Sequence, residues 1–292
     1  MAFSILTDTS ANLPTELVKR YGISVTPFSF FVEGKESTCT DSESFDGPAF
    51  YDAMRHGAIV TTSQVNPQRH MDYMEPILKQ GSDLLYVCMS SGISGAYSCA
   101  EMAAAQLRED YPQRAIRLVD TMGASLGEGL LALRAAACRE QGMGLDETAD
   151  FLLELRERFY QVFTVDNLAY LQRSGRISNA TAVIGTVFQI KPLLKGNEEG
   201  KIVTFGKVRG RKQSIQALAE KYDTLVKNPG EQTVGIAHAD CPEDADYLAG
   251  LLRKNFPPKD ILTVCYEPVT GSHVGPGTLA LFFEGEKGVR LQ

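Results

Sequence analysis

The sequence predicts an α/β protein of two domains: residues 1–150 on a mostly parallel sheet flanked by helices, and residues 151–292 as a smaller α/β domain on a mixed sheet. Three observations predict it. Strand-length apolar or β-branched runs alternate with helix-length amphipathic or Ala-rich runs, the pattern of βαβ units whose crossovers demand parallel strands. The polar loops of the first half fall at the carboxyl ends of the predicted strands, the edge where such sheets carry function. The 292 residues are long for one unit and suffice for two cores.

Taken in order, Phe3 to Leu6 is a β-prone run that empties into Thr7-Asp8-Thr9-Ser10, and Pro14 opens a helix to about Tyr21. Ile23 to Val32, rich in Val, Thr and Phe, reads as the next strand, and Asp46 to His56 as an amphipathic helix. Thr61 to Pro67 is expected as a loop in which Asn66 caps, and Pro67 begins, a helix to about Lys79. Asp83 to Met89 is apolar and strand-length, Ser90 to Gly95 is a polar loop, and Ala96 to Leu107 is an Ala-rich helix. Ile116 to Val119, Asp120-Thr121 and a helix from Leu126 to Gln141 repeat that plan. The second half begins with a helix from Asp146 to about Arg158, a strand at Gln161 to Val165 and a helical Asn167 to Arg173. Ala180 to Ile190 reads as a helix apolar around nearly its whole circumference, which fits either burial or an apolar ligand. Two strands turn at Glu198-Glu199-Gly200, and an amphipathic helix follows Arg209-Gly210-Arg211-Lys212. Thr233 to His238 and Ile261 to Cys265 are strands around a helix from Glu243 to Lys254. Gly271 to Thr278 is predicted as a Gly-rich loop that leaves the His273 imidazole reachable, before the apolar run Leu279 to Phe283.

The net charge of −7 and pI near 5.3 argue against nucleic-acid binding, which needs a basic excess. Six cysteines form no C-x-x-C pair and have no histidines at zinc spacing, so no metal is expected, and Cys88, Cys99 and Cys138 read as small buried side chains. That suits a reducing cytoplasm. The N-terminus lacks a basic start and apolar signal core, and no apolar run reaches about 18 residues, so stable membrane insertion is not expected.

Three loops carry hydroxyls at predicted helix starts: Thr61-Thr62-Ser63, Ser90-Ser91 with Ser94, and Asp120-Thr121 with Ser125. Such residues cap helices, and converging hydroxyls beside helix N-termini also suit an anion or carboxylate. Gly123-Ala124-Ser125-Leu126-Gly127 matches G-x-S-x-G, and the order Ser125, Asp240, His273 is that of α/β-hydrolase triads, which makes a serine esterase or lipase the alternative function. Against it, no strand runs straight into the turn and no His-Gly-Gly-Gly loop precedes it. No phosphate-loop or dinucleotide fingerprint is present. His56 and His70 lie on polar helical stretches and read as surface residues. Arg176, Arg209, Arg211 and Lys212 are basic in an acidic chain; a solvated face explains Arg211, while arginine forks also suit carboxylate or phosphate.

Seven blocks in order resemble the DegV family of bacterial fatty-acid-binding proteins over nearly the full length: Thr7 to Pro14, Thr62-Ser63-Gln64, Ser90 to Tyr97, Asp120 with Ser125-Leu126-Gly127, Leu171 to Ser178, Lys191 to Leu194, and Gly271 to Gly277. The resemblance implies two α/β domains with a ligand tunnel between or beside them that holds one long-chain fatty acid and needs no cofactor. It implies carboxylate contacts from Thr62, Ser94 and His273, with Ser63, Ser91, Gly92 and Ser125 nearby. It also implies that the helix with Val183, Ile184, Val187 and Phe188 helps line the acyl tunnel. The implied role is that of a carrier, itself no enzyme, which presents the acid to a separate ATP-dependent fatty acid kinase for acyl-phosphate formation; Arg176 and Arg209 match positions tied to that partner. Ser125 matches a serine of carriers, so the resemblance also weighs against the esterase. Thr121-Met122-Gly123 and Ser272 depart from the family pattern without removing a proposed ligand group.

Overall fold

A computed structural model describes residues 3–177 and 189–292; the expected tunnel residues Val183, Ile184, Val187 and Phe188 lie outside the described residues. The chain divides into two units, one of residues 1–45 and 61–156, the other of residues 46–60 and 157–292.

The first unit begins with β1 (Phe3–Asp8), α1 (Thr15–Arg20), β2 (Ile23–Thr26), β3 (Ser29–Val32) and β4 (Lys35–Thr38). After α2 (Gly47–Arg55), which belongs to the second unit, it resumes with β5 (Val60–Ser63), α3 (Pro67–Lys79), β6 (Asp83–Cys88), α4 (Ala96–Asp110), β7 (Ile116–Asp120), α5 (Leu126–Glu140) and α6 (Leu145–Leu155). Four strands form a parallel sheet in the order β2-β1-β6-β7. β1 and β6 lie at its centre and are almost wholly buried, which is why both read as near-continuous apolar runs. Leu6, Leu84 and Tyr86 of these strands pack with Met74 of α3 and Ala100, Ala104 and Leu107 of α4. Because β1 connects outward to β2 on one side while β6 lies on the other, the chain changes direction between β1 and β6. In open α/β sheets, ligands bind beyond the carboxyl ends of the strands at such a point.

Three expectations are corrected here. Ile23 to Val32 is two strands in two sheets, because Pro27 has no N–H for a ladder and separates them; β3 joins β4 and β5 in a three-stranded sheet. Thr61, Thr62 and Ser63, expected in a loop, lie on β5, where β-branched side chains pack well. His70, expected on the surface, is fully buried on α3 beside the Tyr86 ring. His70, Met74, Ile77 and Leu78 form the buried stripe of that helix, with the 3.6-residue spacing that its polar composition hides.

The second unit contains β8 (Phe159–Thr164), α7 (Ala169–Arg173), β9 (Ile190–Gly196), β10 (Ile202–Arg209), α8 (Arg211–Leu225), β11 (Thr233–His238), α9 (Pro242–Asn255), β12 (Asp260–Cys265), α10 (Pro268–Val274) and β13 (Leu279–Glu284). Its six-stranded sheet has the order β10-β9-β8-β13-β11-β12 and is mixed: β11 and β12 are parallel and the other neighbours antiparallel. α8 and α9 cover one face, with Ile215, Leu218, Tyr222, Leu248 and Leu252 packed on Tyr160, Val162 and Phe283. The expected helix does not extend to Ile190, which opens β9 opposite Arg209.

The expected loop at Gly271 is also corrected: Gly271, Ser272 and His273 are helical, in α10. Glu267 caps it by accepting from Val269 N–H at 2.6 Å and Thr270 N–H at 2.5 Å, and Pro268 occupies the first turn. The helix ends at Gly275, whose φ of 82° favours glycine and where a β-carbon would collide with the Tyr170 ring. Glycine serves close packing at Gly271, and both close packing and a left-handed backbone at Gly275.

Candidate functional site

In the first unit, three loops beyond the parallel sheet are laced together by their backbones. Ser90 N–H donates to Gly123 C=O at 2.8 Å, and Ser125 N–H to Ser10 C=O at 2.7 Å. Thr121 Oγ1 donates to Cys88 C=O at 2.8 Å. Within this frame Ser91 is committed to Asp120, its hydroxyl donating to Oδ2 at 2.5 Å. Gly92 N–H donates to Ser90 Oγ at 3.1 Å. Ser94 is different: its Oγ accepts from Ala96 N–H at 3.2 Å at the start of α4, which leaves the hydroxyl proton available to a ligand oxygen. Thr62 is half-buried on β5 between exposed Thr61 and Ser63.

Ser125 has φ 53° and ψ −138° at the start of α5, a backbone strained for any residue but glycine, like that of a strand-to-helix elbow. Its Oγ is buried and has no hydrogen-bond partner. An esterase elbow instead exposes a hydroxyl held by an imidazole. Asp240, the proposed third member, is ion-paired to Arg55, whose Nη2 also donates to the Asp240 carbonyl at 3.2 Å.

The same edge holds a cluster that sequence reasoning missed. Ser10 Oγ lies 2.5 Å from Asp8 Oδ1 and 2.6 Å from Glu128 Oε2, and Thr7 Oγ1 lies 2.8 Å from Glu128 Oε1. All four residues are buried. Burial pushes Glu128 well above the usual carboxylate range, with the neighbouring Asp8 charge adding to it. Burial also raises Asp8, to about 6, against the pull of its hydrogen bonds from Ser10 and Met89. The available signal was Ser125-Leu126-Gly127-Glu128, a capping-box spacing. Here Glu128 turns to β1, and Ser125 makes no side-chain cap bond.

In the second unit, His273 is half-buried in the last turn of α10. Burial lowers its pKa to about 4, helped by the positive charges of Arg176 and Arg173, so the imidazole is neutral at pH 7. The structure thus brings Arg176 close to His273, while its guanidinium donates to Ser174 C=O at 2.5 Å. Arg209 ends β10 and is exposed. Arg211, expected on a solvated face, is half-buried, with Nε 2.7 Å from Asp244 Oδ2. Among the described residues, no group of three or more His, Cys, Asp or Glu is placed to hold a metal ion, and no helix is long and apolar enough to cross a membrane. Cys88 and Cys138 are buried and Cys99 is half-buried, all as free thiols.

The family model described as DegV, an uncharacterised protein family, matches residues 2–286. The chain belongs to the DegV family. It is 40% identical over 284 residues to a DegV domain-containing protein of Clostridium perfringens, with 97% of this chain and 98% of the relative covered. A DegV domain-containing protein of Staphylococcus aureus is 34% identical over 295 residues, with both chains covered completely. Among solved structures, a DegV protein of Thermus thermophilus described for its fatty acid binding superimposes with a TM-score of 0.88 at 28% identity, covering 98% of this chain and all of that one. The fatty-acid-binding DegV protein of Streptococcus agalactiae gives 0.86 at 29% identity over 98% and 99% of the two chains. These DegV neighbours share the α/β architecture described above, a helix-flanked parallel sheet and a mixed sheet.

Proposed function

We propose that this DegV protein binds one long-chain fatty acid and presents it to a separate ATP-dependent fatty acid kinase, catalysing nothing alone. The observation that carries the reading is its whole-length similarity to structures described as fatty-acid-binding proteins. In this reading Thr62, Ser94 and His273 take the carboxylate, with Ser63, Ser91, Gly92 and Ser125 around it. Val183, Ile184, Val187 and Phe188 line the acyl chain, and Arg176 and Arg209 meet the kinase.

The local chemistry supports that assignment. A carboxylate only accepts hydrogen bonds; the Ser94 hydroxyl offers an uncommitted proton, and the neutral His273 imidazole carries one N–H. Neither brings a fixed positive charge that would hold the anion too tightly for transfer. Affinity comes from the tail: about ten buried methylenes at ~0.8 kcal/mol each contribute ~8 kcal/mol before association costs. The head-group contacts then fix which end faces the phosphoryl donor.

Native mass spectrometry of protein purified from cells, followed by lipid extraction, tests the carrier reading. One fatty acid per chain is expected. Protein that is consistently empty and takes up no added oleate sinks it. Acyl-phosphate formation by a fatty acid kinase with ATP, dependent on the loaded protein, tests the partnership.

A further inference from the structure

The Asp8–Ser10–Glu128 cluster belongs to none of the proposed ligand contacts, yet hydrogen counting constrains it. Ser10 has one hydroxyl proton for two short oxygen contacts, to Asp8 Oδ1 at 2.5 Å and Glu128 Oε2 at 2.6 Å. Thr7 likewise has one proton for Val87 C=O at 2.9 Å and Glu128 Oε1 at 2.8 Å. With both carboxyls ionised, two of these four contacts would be oxygen against oxygen with no hydrogen between them, in a site closed to water.

A proton on Glu128 supplies a missing hydrogen. Asp8 is the better anion because amide donors reach it: Ser10 N–H at 2.9 Å and Met89 N–H at 3.3 Å. Glu128 meets the Thr7 and Ser10 hydroxyls and a single backbone donor, the Asp8 N–H. Two carboxyls that share the Ser10 hydroxyl and also meet in a direct side-chain hydrogen bond do not both ionise near neutrality in a buried site. The groups sharing this interior do not neutralise the pair: Tyr86 and Cys88 on β6 are pushed up by burial first and by the pair in addition, and Asp120 and Glu101 act on Cys88 with the same sign. No cation offsets the pair among the causes that act on either carboxyl.

We propose that Glu128 is a neutral carboxylic acid at pH 7, that it bridges through Ser10 to an ionised Asp8, and that this bridge positions the head-group loops. The path is short. Asp8 holds Met89 N–H at the root of the loop carrying Ser94, Ser10 C=O holds Ser125 N–H, and Glu128 ties the first turn of α5 to both. Thr7, Asp8, Ser10 and Glu128 are positioning residues. Their effect on ligand rests on the fatty-acid reading, whereas the proton does not.

Infrared spectroscopy of the full-length protein at pH 7 reads the proton directly. A protonated-carboxyl C=O band is expected in the wild type and lost in Glu128→Gln. Absence of the band in the wild type, or its survival in Glu128→Gln, overturns the assignment whether or not any variant binds ligand. The amide of Glu128→Gln reproduces one donor and one acceptor, so its oleate affinity should stay within about twofold, while Glu128→Ala should lose about tenfold or more with Thr62, Ser94 and His273 untouched. Wild-type affinity in Glu128→Ala overturns the positioning role. A wild type that shows the band but binds no oleate upholds the proton and sinks the fatty-acid reading instead.

Discussion

Gly271→Ala tests how α10 is seated, and with it how His273 is placed two residues later. Tyr51 of α2 is wholly buried, and its hydroxyl donates to Tyr266 C=O at 2.7 Å. A methyl at Gly271 would overlap that hydroxyl and crowd the ring behind it. Overpacking of this kind costs about 1–3 kcal/mol, and displacing the hydroxyl forfeits ~1 kcal/mol of hydrogen bond. Alanine regains up to ~1 kcal/mol over glycine within a helix, so the net loss is about 1–3 kcal/mol. At roughly 2–4 °C per kcal/mol, thermal melts followed by circular dichroism should show a drop of about 2–12 °C. Tyr51→Phe alone should cost ~1 kcal/mol by losing the same bond. The two changes should not add, because the phenylalanine ring lacks the atom that the methyl strikes; the double variant should be more stable than the sum by at least ~0.5 kcal/mol. Additivity within that margin would refute the collision and the seating of α10 on Tyr51.

Ser94→Ala keeps the small side chain but removes both the acceptor for Ala96 N–H and the proposed donor to ligand; oleate binding by titration calorimetry should weaken about tenfold, with stability down by ~1 kcal/mol. His273→Ala should weaken oleate binding by a similar factor and impair acyl-phosphate formation; unchanged values for both remove it from the head-group contacts. Arg209→Ala, on an exposed strand end, should leave oleate affinity within about twofold and lower the yield of acyl-phosphate. A large loss of oleate affinity there moves Arg209 from partner surface to ligand.

The alternating pattern was legible because the central strands β1 and β6 are buried on both faces and the helices between them carry caps in their sequence, such as Asn66-Pro67. What failed to show was local chemistry set by tertiary partners. Gly271 looks like loop glycine until Tyr51, far away in sequence, needs the space. His70 looks solvated because its helix neighbours are polar, although its own face is buried. Glu128 looks like a capping residue because its true partners, Thr7 and Ser10, are more than a hundred residues away. Two of the three hydroxyl stretches, Ser90 to Ser94 and Asp120 to Ser125, were legible because each follows a strand of the parallel sheet, whereas Thr61 to Ser63 is itself part of a strand of the three-stranded sheet. Which hydroxyl keeps a proton for ligand was not, because Ser91 and Ser94 differ only in what they meet after folding.

Buried ionisable groups in the first unit pull stability in opposite directions with pH, which gives a test independent of any ligand. His70 is wholly buried; its Nε2 pairs with Ala96 C=O at 3.1 Å and its Nδ1 has no partner, and burial lowers its pKa to about 4. Between about 4 and 6.5 the unfolded chain therefore binds more protons at this residue than the native state, so stability rises with pH, by at most ~3 kcal/mol. His273 and His238 act with the same sign in the second unit, because burial lowers both. Asp8 and Glu128 do the reverse. With raised native pKa values the folded state holds the proton more firmly, so their contribution is complete below the ordinary carboxylate range and is lost as pH rises, for Asp8 through about 6. Melting temperatures from about pH 4.5 to 6.5 should thus climb more steeply in Glu128→Gln than in the wild type and less steeply in His70→Gln, whose amide retains the bond to Ala96. Differences between variants isolate each group from the common histidine background. Equal slopes in all three proteins would mean that neither His70 nor Glu128 changes protonation on folding, and the neutral Glu128 acid would fall with that result.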